Sequence, residues 1–251
     1  MRVHLIEGEA GCRLAVERGA AAIIVDALRA SATAAALLEE GAAEICAVRE
    51  VAEAFAAKQF WPDALLFGER GGLPPAGFDF GNSPAEATHA RNRRVIFTTT
   101  TGAGRLLAAW GAPAALMASV VNSTAVARYF EKYPADEAVI IPAGLMSDPA
   151  FDAQEDWAAA AWIAAQLFES GENTPGEGHN RYQRVKECLD AEGVEALFLQ
   201  APHAEKLRAV GLEADIPLCA RVDCCRALPI AVEAFHGGLL LKDAMRETVS
   251  L

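Results

Sequence analysis

The sequence lacks several features that would assign it to a common class of protein. No apolar run comes near the ~20 residues that a membrane-spanning helix requires. Lysines and arginines number 22 against 34 aspartates and glutamates, which gives a net charge of −12. Nucleic acids and acidic membranes bind to basic surfaces. We therefore expect neither as a partner, and an anionic substrate would have to be held by local groups.

Motifs of several familiar enzyme and metal-binding classes are also missing. The chain contains no G-x-x-x-x-G-K-[ST], G-x-S-x-G or G-x-G-x-x-G motif, and its six cysteines form no C-x-x-C pairs. Five histidines show no ligand spacing and are interpreted as surface or packing residues: His4, His89, His179, His203 and His236. Glu7 and Glu9 interrupt the apolar N-terminal segment, so we expect a cytoplasmic protein with free thiols.

Strand and helix patterns alternate over the first two-thirds of the chain. Strands are predicted at 22–26, 44–48, 64–67, 95–98, 114–118, 138–141 and 194–199, and helices at 32–40, 51–60, 123–133, 152–169, 183–192 and 202–210. This alternation predicts a three-layer α/β/α fold with a mostly parallel or mixed sheet. We expect a single domain over residues 1–251. A junction between two closely joined lobes, if present, is expected in the Gly- and Pro-rich segment 170–182.

Four predicted strands run into loops that carry anion- or metal-binding residue types. These loops contain Asp26, Arg29 and Ser31, then residues 69–72, 98–104 and 143–156. Each has a structural interpretation of its own, such as a helix N-cap at Ser31 or a capping box formed by Asp152 and Glu155. Because the carboxyl ends of parallel strands share an edge, the four loops together predict one ligand site.

The order of four sequence blocks points to a family. The blocks are V-D-A-L-R-A-S at 25–31, G-E-R-G-G at 68–72, G-F-D-F-G-N-S-P at 77–84 and T-T-T-T-G at 98–102. Over about residues 20–170 this series resembles the 2-phosphosulfolactate phosphatase family. The resemblance implies a magnesium-dependent phosphatase that converts 2-phosphosulfolactate to sulfolactate and phosphate, in coenzyme M biosynthesis or a related sulfonate pathway. It also makes a homodimer the expected assembly.

The residue types then suggest roles within the implied reaction. Asp26 and Glu155 are the expected catalytic residues, and Mg²⁺ is expected at Asp26, Glu155 and Asp156. A small anionic phosphorylated substrate is expected to be bound by Arg29, Ser31, Arg70, Asn82, Thr99, Thr100 and Thr101. Asp26 or Glu155 would activate water. Direct attack by Asp26 ranks second because the sequence lacks the D-x-D context of that route.

Departures from the family pattern keep two alternatives open. Thr101 stands where the family usually has asparagine, and the segment 145–150 replaces a glycine-rich approach to the Glu155-Asp156 pair. The first alternative is a phosphatase for another small phosphorylated hydroxy acid. The second is a non-catalytic anion-binding protein of the same fold.

Overall fold

One mixed β-sheet organises the protein. The computed structural model describes residues 1–148, 150–169 and 171–246. Within them the sheet comprises β1 Arg2–Leu5, β2 Ala21–Val25, β3 Glu44–Val48, β4 Leu65–Gly68, β5 Arg94–Thr98, β6 Ala115–Met117, β7 Glu137–Pro142, β8 Thr174–Pro175, β9 Pro229–Phe235 and β10 Gly238–Asp243. The strand order is β4-β5-β3-β10-β9-β6-β2-β7-β1-β8.

Helices cover both faces of this sheet. They are α1 Gly8–Arg18, α2 Ala30–Glu39, α3 Val51–Lys58, α4 Gly102–Ala108, α5 Ser123–Lys132, α6 Gln154–Glu169, α7 His179–Glu192, α8 Val194–Gln200, α9 Pro202–Ala209 and α10 Asp215–Cys219, with 3-10 helices at Pro84–Ala90 and Val120–Asn122. Among the described residues, every helix is too short or too polar to reach across a lipid bilayer.

The central strand β2 shows why the fold has three layers. All five of its residues, A-A-I-I-V, are buried, as expected for a strand covered on both faces. Because side chains alternate along a strand, Ile23 and Val25 pack into one core with α6, whereas Ile24 packs into the other with α1. The predicted three-layer α/β/α class with a mixed sheet is confirmed.

The sheet consists of two parallel groups that run in opposite directions. β4, β5 and β3 are parallel to one another, as are β6, β2, β7, β1 and β8. Three antiparallel pairings through β10 and β9 join the groups, so their directions are reversed. The prediction of a single shared carboxyl edge is therefore wrong. Sheets commonly twist by ~20° per strand pair, so groups separated by several strands need not point in simply opposite directions.

The C-terminal third departs most from the sequence prediction. Residues 194–199, predicted as a strand, belong to α8, because Val194, Leu197 and Phe198 are buried at helical rather than alternating spacing. In the segment 170–182, β8 adds to the sheet beside β1 and α7 begins at His179, whereas Ser170 lies outside the described residues. The antiparallel pair β9 and β10 was not predicted.

Candidate active site

One cavity collects most of the predicted site residues. Its volume is about 480 Å³, in the range of small-molecule pockets. The loops after β2, β4, β5 and β7 form one wall and α9 forms another. Among the lining residues are Asp26, Arg29, Glu69, Asn82, Thr100, Thr101 and Asp156. The four predicted loops thus converge, although their strands do not share one edge.

The turn after β2 fixes Asp26 by hydrogen bonds. The N–H of Ala30 donates to Asp26 Oδ1 at 3.1 Å. Ser31 Oγ accepts from the Asp26 N–H at 3.1 Å and donates to the Ile24 carbonyl at 3.0 Å. Ser31 is fully buried and does not line the cavity. Its hydroxyl shapes the turn, and the structure does not bring this predicted substrate ligand to the substrate space.

The helix after β5 lies directly against this turn. A Cβ added at Gly102, the first residue of α4, would lie 2.8 Å from Asp26 Oδ2 and 2.6 Å from the Ala30 Cβ. Any larger residue at position 102 would displace the Asp26 carboxylate or the start of α2. Glycine at position 102 therefore permits the close contact of α4 with the turn after β2.

Asp156 ties two loops together. Its Oδ1 accepts from the Ala27 N–H at 2.8 Å and its Oδ2 from the Gly144 N–H at 3.0 Å. The carboxylate thereby joins the turn after β2 to the loop after β7. Burial raises the pKa of Asp156 well above its ordinary value, and the charges of Glu155 and Asp26 raise it further.

Glu155 is fully buried and faces a histidine that the sequence analysis had placed among surface or packing residues. Its Oε1 lies 3.1 Å from His203 Nδ1, and its Oε2 has no hydrogen-bond partner among the described residues. Burial lowers the pKa of His203, but the hydrogen bond and charge of Glu155 outweigh it, so the pKa is raised overall. α6 begins at Gln154, and Glu155 is engaged by His203 rather than by a capping box.

Asp26 titrates within the same acidic cluster. Burial raises its pKa above 3.8, and the charges of Glu69 and Glu155 act in the same direction. The charge of His203 and the Ala30 N–H oppose this shift. The cavity lining thus includes two carboxyl groups, those of Asp26 and Asp156, whose ionisation is disfavoured by burial and would be favoured by a nearby cation.

The two predicted arginines have different environments. Arg29 lines the cavity and is 2% exposed; it pairs with Asp215 in α10, and it donates from Nη2 to the Gly72 carbonyl at 2.8 Å. Ser83 Oγ donates to the same Asp215 carboxylate at 2.6 Å.

Arg70 does not line the cavity, because its guanidinium bonds to the carbonyls of Glu69 and Arg49 and to Thr98 Oγ1. The structure therefore does not bring Arg70 together with the predicted residues that line the cavity, and its substrate contact stays a prediction.

Glu69 rather than Arg70 faces the cavity from the loop after β4. Its Oε1 accepts from the Thr100 N–H at 2.7 Å and its Oε2 from the Gly72 N–H at 2.9 Å. These bonds tie the loop after β4 to the loop after β5. Glu69 therefore holds the backbone on which the threonine hydroxyls are presented.

Of the remaining polar residues predicted to bind substrate, one makes a structural hydrogen bond and the others line the cavity. Thr99 is buried and its Oγ1 accepts from the Ala103 N–H at 3.0 Å, which satisfies the first turn of α4. Thr100 and Thr101 line the cavity. Asn82 also lines it, and its Oδ1 is buried without a hydrogen-bond partner among the described residues. That unpaired amide oxygen is suited to accept a hydrogen bond from a ligand or to meet a cation.

The wall formed by α9 was not predicted from the sequence. His203, Lys206, Leu207 and Val210 all line the cavity. They stand at spacings of three, four and seven residues from the first, which places them on one face of a helix. That periodicity was the available signal, but it does not distinguish a ligand-facing from a core-facing helix.

The donor set fits a hard cation in part. Mg²⁺ in proteins is commonly held by one or two carboxylates together with water and substrate phosphate oxygens. Glu155 offers an unpaired buried oxygen, whereas both oxygens of Asp156 are occupied by backbone N–H groups. Within the described ranges, no three acidic, His or Cys side chains assemble as a metal centre. Asp26 Oδ2 and Glu155 Oε2 accept no hydrogen bond among the described residues, whereas Asp156 would share both of its oxygens with backbone N–H groups. Asp26 and Asp156 line the cavity and Glu155 does not, so the set of three ligands stays a prediction.

The α/β fold and the carboxylate-lined cavity are those of a protein that binds a small ligand. Sequence comparisons identify its family. The family model of 2-phosphosulpholactate phosphatase matches residues 12–234. The chain belongs to this family of phosphoric monoester hydrolases.

Relatives of similar length carry the same description. A "Probable 2-phosphosulfolactate phosphatase" of Thermus thermophilus is 37% identical, over 88% of this chain and 92% of its own length. Proteins of that description from Deinococcus radiodurans and Carboxydothermus hydrogenoformans are 36% and 33% identical, covering 84% and 83% of this chain and 87% and 85% of their own lengths.

Proposed function

We propose that this chain hydrolyses 2-phosphosulfolactate to sulfolactate and phosphate, with Mg²⁺ as its cofactor. The observation that carries the proposal is the convergence of Asp26, Glu69, Thr100, Thr101 and Asp156 on one cavity in a chain of this family. A substrate with three acid groups must be bound there despite the overall charge of −12.

The chain's own groups divide the task of binding the phosphoester. The hydroxyl groups of Thr100 and Thr101 and the Nδ2 amide of Asn82 are of the type that donates hydrogen bonds to phosphoryl oxygens. Asp26 and Glu155 would hold the Mg²⁺ ion, which when bound neutralises charge on the phosphoryl oxygens. Asp156 and Glu69 keep the surrounding loops in place through their bonds to backbone N–H groups.

The reaction is a displacement at phosphorus by water. A P–O bond forms to the water oxygen, the bond from phosphorus to the substrate's bridging oxygen breaks, and the displaced alkoxide takes a proton from a solvent water. Asp26 or Glu155 accepts the proton released by the attacking water. Water attack is preferred over an aspartyl-phosphate because Ala27 and Leu28 follow Asp26, without a second aspartate.

Release of inorganic phosphate tests this proposal. The purified protein should release phosphate from 2-phosphosulfolactate with Mg²⁺, and EDTA should stop the reaction until Mg²⁺ is restored. Turnover that is unaffected by EDTA would contradict the cofactor assignment. Preference for phosphoesters without a sulfonate would support the alternative substrate class, and tight binding without turnover would support the anion-binding alternative.

A further inference from the structure

The basic side chains that line the cavity differ in whether they already have an acidic partner. Arg29 lies deep in the cavity and is already paired with Asp215. His203 is hydrogen-bonded to Glu155. Lys206 lines the same cavity from α9, and its ammonium forms no ion pair with a carboxylate among the described residues. Glu205, the adjacent acid, pairs instead with Arg208.

An aromatic ring supports the exposed side chain of Lys206, which lines the cavity. Its Nζ lies 4.1 Å from the centroid of the Phe151 ring. The same ring meets His203 edge-on at a centroid distance of 6.0 Å. Phe151 therefore supports two residues of one face of α9, and a cation–π contact leaves the ammonium hydrogens free to bind an anion.

We propose that Lys206 binds the sulfonate of the substrate and thereby selects phosphoesters that carry this second strong acid group. The inference rests on the proposed phosphatase function. It assigns the phosphate to the acidic wall with its cation and the sulfonate to the opposite wall. A sulfonate presents three equivalent oxygens, which suits a point charge, whereas the planar guanidinium of Arg29 suits a planar carboxylate.

A comparison of two substrates tests this assignment. The esters are 2-phosphosulfolactate and 2-phospholactate, which has a hydrogen in place of the sulfonate. For Lys206→Ala we expect kcat/KM for the sulfonated ester to fall about 10- to 100-fold, mainly through KM, the effect of losing a hydrogen bond to a charged group. For 2-phospholactate we expect a change of less than about threefold, and Lys206→Arg should restore part of the preference.

The matched control is Lys132, whose Nζ also lies over an aromatic ring, 5.0 Å from the centroid of Tyr133, but which does not line the cavity. Lys132→Ala should leave both substrates unaffected. An equal loss for both esters, or no loss for the sulfonated one, would overturn the role of Lys206 while leaving the phosphatase intact. A wild-type protein that releases phosphate from neither ester would contradict the proposed function itself.

Discussion

The two walls of the cavity are built in different ways. The loop wall follows the strands β2, β4, β5 and β7, is rich in carboxylates and is fixed by backbone N–H donors to Asp26, Glu69 and Asp156. The α9 wall carries the imidazole of His203 and the ammonium of Lys206, supported by the single ring of Phe151. The first wall is rigid and acidic, and the second presents cationic or protonatable groups from one helical face.

This difference indicates a division of labour between chemistry and selection. Groups held by several backbone hydrogen bonds keep the geometry that a reacting phosphoryl group requires. Side chains on one helical face can change with the substrate at little cost to the fold. We therefore expect substitutions in the loop wall to lower turnover and substitution of Lys206 in α9 to change substrate preference.

Removal of the Asp26 charge should have the largest effect on the loop wall. Asp26→Asn keeps the size of the side chain and an acceptor for the Ala30 N–H but loses the proposed cation ligand and base. We expect kcat to fall about 10³-fold or more, as for loss of a general base together with a metal ligand. Phosphate release measures this. Asp152→Asn is the control, because Asp152 is exposed and does not line the cavity; equal activities of the two variants would contradict the assignment.

The two walls also differed in how far the sequence predicted them. Asp26, Glu69, Thr100 and Asp156 follow predicted strands, so strand ends and motif order located them. Lys206 was missed because its helix is far along the chain and its amphipathic pattern does not say what the face meets. The position of Arg70 outside the cavity lining was not predicted, because a sequence does not show which acceptors compete for a guanidinium, here the carbonyls of Arg49 and Glu69.

The ion pair between the loop wall and α10 should matter most for stability. Arg29, after β2, and Asp215, in α10, are 2% and 4% exposed and form an ion pair. Asp215→Ala leaves the buried guanidinium without its partner, and we expect the free energy of unfolding to fall by about 3–5 kcal/mol. Urea unfolding measures the loss. The exposed pair of Lys186 with Asp190 is the control, and Asp190→Ala should cost about 0.5 kcal/mol or less. Similar losses in both variants would refute this role.

The close contact between α4 and Asp26 gives a purely steric test of the loop wall. The methyl group in Gly102→Ala would lie 2.8 Å from Asp26 Oδ2 and should move the carboxylate. A displacement of ~1 Å in a catalytic group can cost about 100-fold in rate, so we expect kcat to fall by that order. Gly104→Ala is the control in the same helix, because its methyl meets the flexible end of Met146. Equal rates would show that the turn after β2 tolerates movement.

The smallest expected effect concerns pH and the metal-free protein. Burial raises the folded-state pKa of Asp26 above 3.8, so the folded chain binds this proton more tightly than the unfolded chain does. Stability from this group is therefore present at low pH and is lost as pH rises from ~4 through the raised pKa. In EDTA, the stability of Asp26→Asn relative to wild type should increase over that window by about 1.4 kcal/mol per pKa unit.

Urea unfolding at several pH values between ~4 and ~7 measures this difference. Asp190→Asn is the control because Asp190 is exposed and, among the described residues, forms its ion pair with Lys186. A difference that falls with rising pH would mean that the Ala30 N–H and the charge of His203 outweigh burial at Asp26. In that case the loop wall would favour a charged Asp26 even without a cation, and the expectation that the ion relieves a cost of burial would have to be abandoned.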